Sequence, residues 1–259
     1  MKIAVSGKGG VGKSTVAAAI ALSLAKRGGV VLALDADPDA NLASALGISS
    51  EEQKKIIPIS KQIQLIEERT GAKVSQYGQV FQLNPAVSDV AEKFAFMKDG
   101  ISLLVLGAVK AGGGGCACPE STFIRALVTD LVMYKNETLI MDMEAGIEHL
   151  GRATSRGVDL MIIVVEPGKR SIDCAETIIR MMKDIGLKNV AVVGNKITSE
   201  EDEAFIRDSM PGMNFLAMLP MTETIRKADR DGISVMDAVE ADANLKAVFE
   251  EMITNIEVK

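Results

Sequence analysis

The chain alternates short runs of β-branched and aliphatic residues with segments in which apolar positions recur every three or four residues. Continuous apolar runs are what strands buried on both faces require, and the three-to-four spacing is what the covering helices require. On this pattern strands are predicted at 3–5, 30–34, 101–106, 138–141, 160–165, 190–193 and around 215–219. Helices are predicted at 14–27, 120–134, 171–185, 223–231 and 243–255. Gly28-Gly29 ends the first helix, and glycines bound the 101–106 run. Residues 48–79 resist the pattern; their charges and single proline suggest helices and loops over a sheet edge. Residues 80–83 read as a further strand and 88–96 as a short helix. The alternation implies a mostly parallel sheet with helices on both faces, a three-layer α/β fold. No internal repeat or low-complexity linker interrupts it, so residues 1–259 read as a single domain.

Composition narrows the function classes. A chain of 259 residues, 47% hydrophobic, can bury one large core. Its formal charge of −6 argues against a nucleic-acid partner, whose binding surface would be strongly basic. No run approaches the roughly eighteen apolar residues of a membrane span. A glycine-rich motif starting at Gly7 leaves no room for a cleaved leader, so a cytoplasmic protein with no membrane partner is expected. Three cysteines are too few for a disulfide framework, and in a reducing compartment a close pair points to metal binding or catalysis.

The motif itself is Lys8-Gly9-Gly10-Val11-Gly12-Lys13-Ser14-Thr15, placed between the first strand and the first helix. Glycines let successive backbone N–H groups turn toward one anion, and the helix N-terminus adds roughly half a positive charge. Lys13 would reach the β/γ-phosphates of a nucleotide, and Ser14 would offer its hydroxyl to the accompanying Mg²⁺. Two acidic stretches follow strands: Asp35-Ala36-Asp37-Pro38 and Asp142-Met143-Glu144-Ala145-Gly146. Carboxylates at the carboxyl end of a parallel strand face the ligand and can orient water or Mg²⁺. Asp37 equally suits a turn before Pro38, and Asp142 a cap for a helix after Gly146. Asn195, within Gly194-Asn195-Lys196, can read the N6/N7 edge of adenine or serve as a turn amide.

A second informative stretch is 108–120, where four consecutive glycines precede Cys116-Ala117-Cys118-Pro119. Pro119 suits the first position of the 120–134 helix and makes Cys118 its cap. A thiol there lies in the positive end of the helix dipole, which favours the metal-binding thiolate. Two thiols are half of a tetrahedral site, and a two-fold dimer would supply four, suited to Zn²⁺, Ni²⁺ or an iron–sulfur cluster. A redox dithiol and a structural role for the pair are the competing readings. His149, in the helix expected after the second acidic stretch, adds little, and Cys174 reads as core.

The string G-K-G-G-V-G-K-S-T resembles the deviant Walker A ATPases, which include the nitrogenase iron protein, Min and Par positioning ATPases, arsenite-pump ATPases and nickel-insertion ATPases. The resemblance covers essentially the whole chain and implies a P-loop NTPase that binds ATP and Mg²⁺ as a homodimer. It implies that Lys8 crosses the dimer interface to the partner's phosphates. Asp37, in D-x-D-P, would position the attacking water, and Asp142, in D-x-x-A-G, would hold the Mg²⁺ shell of switch II. Asn195 would contact adenine, and the segment running through Pro220 into the 223–231 helix would cover the base. If the 138–141 strand neighbours 101–106, switch II and the cysteine segment leave one sheet edge together. The last helix lacks the basic face of a Min-type membrane tether. The glycine-rich C-x-C is similar to that of the nickel-insertion ATPases of carbon monoxide dehydrogenase, whereas the nitrogenase iron protein carries its two ligand cysteines on separate loops. The resemblance therefore implies a Mg·ATP hydrolase that delivers Ni²⁺ from Cys116 and Cys118 to carbon monoxide dehydrogenase, with Zn²⁺ competing. A metal-free positioning ATPase and an ATP-coupled iron–sulfur reductase are the alternatives.

Overall fold

The computed structural model describes residues 1–74, 76, 78–108, 118–133, 137–144 and 157–257. In chain order its elements are β1 (Lys2–Gly7), α1 (Lys13–Lys26), β2 (Val31–Ala36), α2 (Leu42–Ala45), α3 (Ser50–Gln53), a 3-10 turn (Ile59–Lys61), α4 (Ile63–Thr70), α5 (Val90–Phe94), β3 (Phe96–Lys98) and β4 (Ile101–Val105). There follow α6 (Pro119–Met133), β5 (Thr138–Met143), β6 (Leu160–Val165), α7 (Lys169–Ile185), β7 (Val190–Ile197), α8 (Glu200–Ser209), β8 (Asn214–Pro220), α9 (Glu223–Asp231), α10 (Val235–Glu240) and α11 (Ala243–Glu257). The strands form one eight-stranded sheet in the order β3-β4-β2-β5-β1-β6-β7-β8. Every pairing is parallel except β3 with β4.

Alternate strand residues feed two cores. Ile3, Val5, Ala33, Ile140 and Ile162 pack toward α1, α10 and α11, while Ala4, Leu34, Met141 and Ile163 pack toward α4, α6 and α7. Each such Ile, Val, Leu or Met side chain stabilises the fold by roughly 1.5–3 kcal/mol relative to exposure, which is why these strands read as unbroken apolar runs. Helix α1 is buried almost all round, with Val16, Ala17, Ala18, Ala19, Ile20 and Ala21 fully inaccessible. Its alanines let it lie close to the sheet, so the loop that feeds it is fixed at its far end. That loop leaves β1 between β5 and β6, where the strand order reverses, the place at which open parallel sheets bind ligands.

Besides adding α8 and α10, which the sequence reading does not contain, the structure corrects four of its expectations. First, β2, β5 and β7 run further toward their carboxyl ends than the apolar runs do, because ladder pairing continues: Asp35 pairs in register with Asp142 and Val105. Second, residues 80–83 are not a strand. Val80 is 95% exposed, and the segment is tied down by the Gln82 N–H donating to the Thr70 carbonyl at 2.8 Å rather than by a ladder. Third, the helix expected over 88–96 is confined to Val90–Phe94; the chain then enters β3 and turns from it into β4 through Asp99 and Gly100, both left-handed at φ 47° and 79°. Fourth, β4 and β5 are not neighbours, since β2 lies between them. The exit of β4 at Leu106 therefore adjoins the carboxyl end of β2, not that of β5. Cys116, His149 and the helix expected after Gly146 lie outside the described residues. Among the described residues no helix is long and apolar enough to cross a membrane.

Candidate functional site

The loop between β1 and α1 turns through left-handed Gly10 (φ 80°) and Gly12 (φ 98°). Gly12 has a second reason to be glycine: a Cβ there would collide with the Asn195 amide. Val11 is fully buried and anchors the loop in the core. The Val16 N–H donates to the Gly12 carbonyl at 3.1 Å and begins the helix. Above the loop opens a cavity of about 570 Å³. Gly9, Gly10, Gly12, Lys13, Ser14 and Thr15 line one side, and Pro220, Ile225 and Phe249 line an apolar opposite wall. Such a cleft, cationic and amide-rich at one end and apolar at the other, suits a phosphorylated ligand bearing a flat base.

The floor is acidic. Lys13 Nζ lies 3.3 Å from Asp37 Oδ2, both side chains largely buried. Behind them Asp35 is fully buried and accepts the N–H groups of Asp37 at 3.3 Å and Leu42 at 3.0 Å, so it shapes the loop that carries Asp37. Burial, and then the charge of Asp142, push the Asp35 pKa up to about 7 despite those two bonds. Asp142 is also fully buried, and burial raises its pKa to about 6. The Ser14 hydroxyl and the Lys13 ammonium oppose that rise. Ser14 influences Asp142 without meeting hydrogen-bond geometry, because both Asp142 oxygens are buried with no partner. Two orphaned carboxylate oxygens beside a serine hydroxyl and a phosphate loop are a donor set that fits Mg²⁺.

On the rim, Glu166 follows β6 and faces two lysines, Lys8 at 3.3 Å and Lys196 at 2.9 Å. Burial would raise the Glu166 pKa, but the two ammoniums outweigh it and hold the carboxyl below its usual range. Lys196 also donates to the Gly10 carbonyl at 2.6 Å, and Asn195 Nδ2 to the Val11 carbonyl at 2.7 Å. Asn195 thus borders the cavity with its amide committed to the phosphate loop. Glu166 and Lys196 escaped the sequence reading. Their signal was position: a carboxylate directly after an apolar strand, and a cation beside the asparagine already singled out.

Cys118 stands ahead of α6, its Sγ accepting the Ser121 N–H at 3.4 Å and its carbonyl the Thr122 N–H at 3.0 Å. Cys174, within α7, packs half-buried against the core, and burial pushes its thiol pKa up, while the Lys13 and Lys8 charges pull the other way. Among the described residues no three potential ligands gather around a common centre.

Comparison with known proteins agrees with this geometry. The family described as CobQ/CobB/MinD/ParA nucleotide binding domain matches residues 2–235. The carbon monoxide dehydrogenase accessory protein CooC of Rhodospirillum rubrum is 45% identical over 237 residues, which are 92% of this chain and 90% of that protein. An uncharacterised ATP-binding protein of Methanocaldococcus jannaschii is 40% identical over 256 residues, 98% of each chain. Among solved structures, the MinC:MinD cell division protein complex of Aquifex aeolicus superposes with a TM-score of 0.69 at 21% identity, covering 100% of this chain and 96% of that one. A ParA family ATPase of Chlorobium tepidum gives 0.68 at 19% identity, covering 98% of both. The motif around Lys13, the parallel sheet that presents it, and these matches make the chain a member of the CobQ/CobB/MinD/ParA family of nucleotide-binding P-loop proteins, homologous to CooC.

Proposed function

We propose that the whole chain acts as one cytoplasmic, homodimeric Mg·ATP hydrolase that delivers nickel to carbon monoxide dehydrogenase. The observation that carries this reading is the 45% identity, over 92% of the chain, to an accessory protein of that enzyme. Cys118 at the head of α6 supports it, as the described half of the C-x-C.

Local chemistry supports the ATPase part. Triphosphate entering the cradle would draw Lys13 from Asp37, because several anionic oxygens outbid one carboxylate for the ammonium. Asp37, released, is then placed to orient an attacking water. Ser14 and Asp142 would hold Mg²⁺, which when bound draws charge from the phosphate oxygens. Lys8 would leave Glu166 to reach the partner's phosphates across a dimer interface. Pro220 and Ile225 would cover the base, and Asn195 would border it.

Anaerobic purification followed by nickel equilibrium dialysis tests the metal part. Wild type and Cys174→Ser should bind nickel; Cys116→Ser and Cys118→Ser should not, while all four still bind ATP. Undiminished nickel binding in the two C-x-C variants would sink the chaperone reading. The positioning-ATPase reading, favoured by the likeness in fold to MinD and ParA structures, would then take its place. Stoichiometric iron and acid-labile sulfide would instead indicate a reductase.

A further inference from the structure

We propose that Lys196 is a positioning residue for the phosphate loop: held by Glu166, its ammonium grips the Gly10 carbonyl and, with the Asn195 amide on the Val11 carbonyl, sets two peptide planes of the cradle before nucleotide arrives. The inference rests on reading the cavity as a nucleotide site, and it assigns to Asn195-Lys196 a task separate from touching the ligand.

Three observations carry it. In a trans peptide the C=O and N–H point in opposite directions, so gripping one carbonyl orients the next N–H. Lys196 on the Gly10 carbonyl orients the Val11 N–H, which closes the turn onto the Lys8 carbonyl at a loose 3.4 Å. Asn195 on the Val11 carbonyl orients the Gly12 N–H. The contact is with the loop backbone itself, so close that a Cβ at position 12 would displace the Asn195 amide.

The backbone of Lys196 is left-handed at φ 60°, a conformation that a lysine rarely adopts. Pairing of β7 with β8 is irregular between Gly194 and Ile197, and the Lys196 N–H is held by Asn195 Oδ1 at 2.9 Å. Strain of this kind persists where surrounding contacts over-determine it, and bulges re-aim side chains beside active sites.

The ammonium is also not free to wander. Glu166 Oε2 lies 2.9 Å away, and the Glu166 N–H donates at 3.0 Å to the hydroxyl of Ser171, which is buried in α7. A connected path therefore runs from α7 through the loops after β6 and β7 to the loop after β1. Because Lys196 itself borders the cavity, the rival role is direct contact with phosphate. The two roles differ in the nucleotide-free state.

The test uses the full chain with ADP and a non-hydrolysable ATP analogue in titration calorimetry, and amide hydrogen exchange of residues 8–12 without nucleotide. Lys196→Met should weaken both nucleotides about tenfold or more, the worth of one charge-assisted hydrogen bond. Exchange across the empty loop should quicken, and Lys196→Arg should restore most of both properties. The loss caused by Lys196→Met should shrink at least about threefold when Glu166 is already Gln, as expected for groups acting together. Unchanged exchange in the empty loop, undiminished binding by Lys196→Met, or a loss that persists in full in Glu166→Gln would each overturn the proposal. Wild type that binds neither nucleotide would overturn the reading of the cavity, and this inference with it.

Discussion

Asp35 and Asp142 lie side by side on adjacent strands in a fully buried floor, and that burial resists their charges. Both have folded pKa values above the unfolded one, at about 7 and about 6, so the folded chain holds their protons longer than the unfolded chain does. Their contribution to stability is fully present below about pH 4 and is lost as pH rises through those folded values. The melting temperature of nucleotide-free protein should therefore fall between pH 5 and 7.5. Asp35→Asn should flatten the upper part of that slope, and scanning calorimetry across the range decides it. On the proposed function Mg·ATP should reverse the trend, because Mg²⁺ held by Asp142 would need its carboxylate charged. On the proposed function, turnover would depend on different groups. Lys8 pairs with Glu166 on the rim and Lys13 with Asp37 in the floor, so the two lysines should fail differently. Lys13→Ala should lose productive phosphate binding. Lys8→Ala should bind Mg·ATP nearly normally and lose about 10²-fold or more in turnover. Asp37→Asn should bind Mg·ATP at least as tightly as wild type, since Lys13 no longer has a carboxylate to leave, yet hydrolyse it very slowly. A Lys8→Ala protein with wild-type turnover would remove that lysine from the chemistry.

Elements were legible wherever burial on two faces imposed an apolar run, and illegible where the structure was set by turns. The long strands and α1, α6, α7, α9 and α11 follow from periodicity and caps. Strand β3 did not, although its signal was in the chain: Asp99-Gly100 is the dipeptide that favours a tight hairpin with two left-handed residues, and it links β3 to β4. The stretch 80–83 misled because its composition suits a strand while nothing offers it a ladder. In the site, the phosphate motif was readable because its spacing is dictated by one ligand. Glu166 and Lys196 were not, because they are joined only by the fold, 30 residues apart. The hairpin offers a clean check. Gly100→Ala meets no neighbour within 4 Å, so its cost is backbone strain alone. It should lose about 1 kcal/mol, or roughly 2–4 °C in melting temperature, with nucleotide affinity unchanged. A neutral or stabilising result would mean that the turn relaxes out of its left-handed form.

At the scale of the whole molecule, strand order would decide, on the proposed function, how nucleotide state reaches the cysteines. Strand β2 separates β4 from β5, so a route from the phosphate loop to the exit of β4 would run through the loop after β2. Asp35 holds that loop with its carboxylate and, with its own carbonyl, accepts the Leu106 N–H at 2.8 Å where the chain leaves β4 for the cysteine segment. The Leu106 carbonyl in turn accepts the Ser60 N–H at 2.9 Å, which pins this exit against the 3-10 turn. On the proposed function, a change in the Lys13–Asp37 pair on ATP binding would reach Leu106, at the exit of β4, through two hydrogen bonds to Asp35. Delivery requires such a connection, because structural zinc–thiolate sites bind with roughly 10–16 kcal/mol. Driving a site from 1:99 to 99:1 takes about 5.5 kcal/mol of differential affinity between two states of the dimer. On the proposed function, dialysis should find about one Ni²⁺ per dimer, as four thiolates allow, when ADP is present, and far less with a non-hydrolysable ATP analogue. Asp37→Asn with ATP should remain in the releasing state and elute as a dimer. Lys8→Ala with the analogue should keep its nickel, because the partner's phosphates are never engaged. Nickel affinity that is the same with ADP and with the analogue would break the link between hydrolysis and metal release, whatever the cysteines bind.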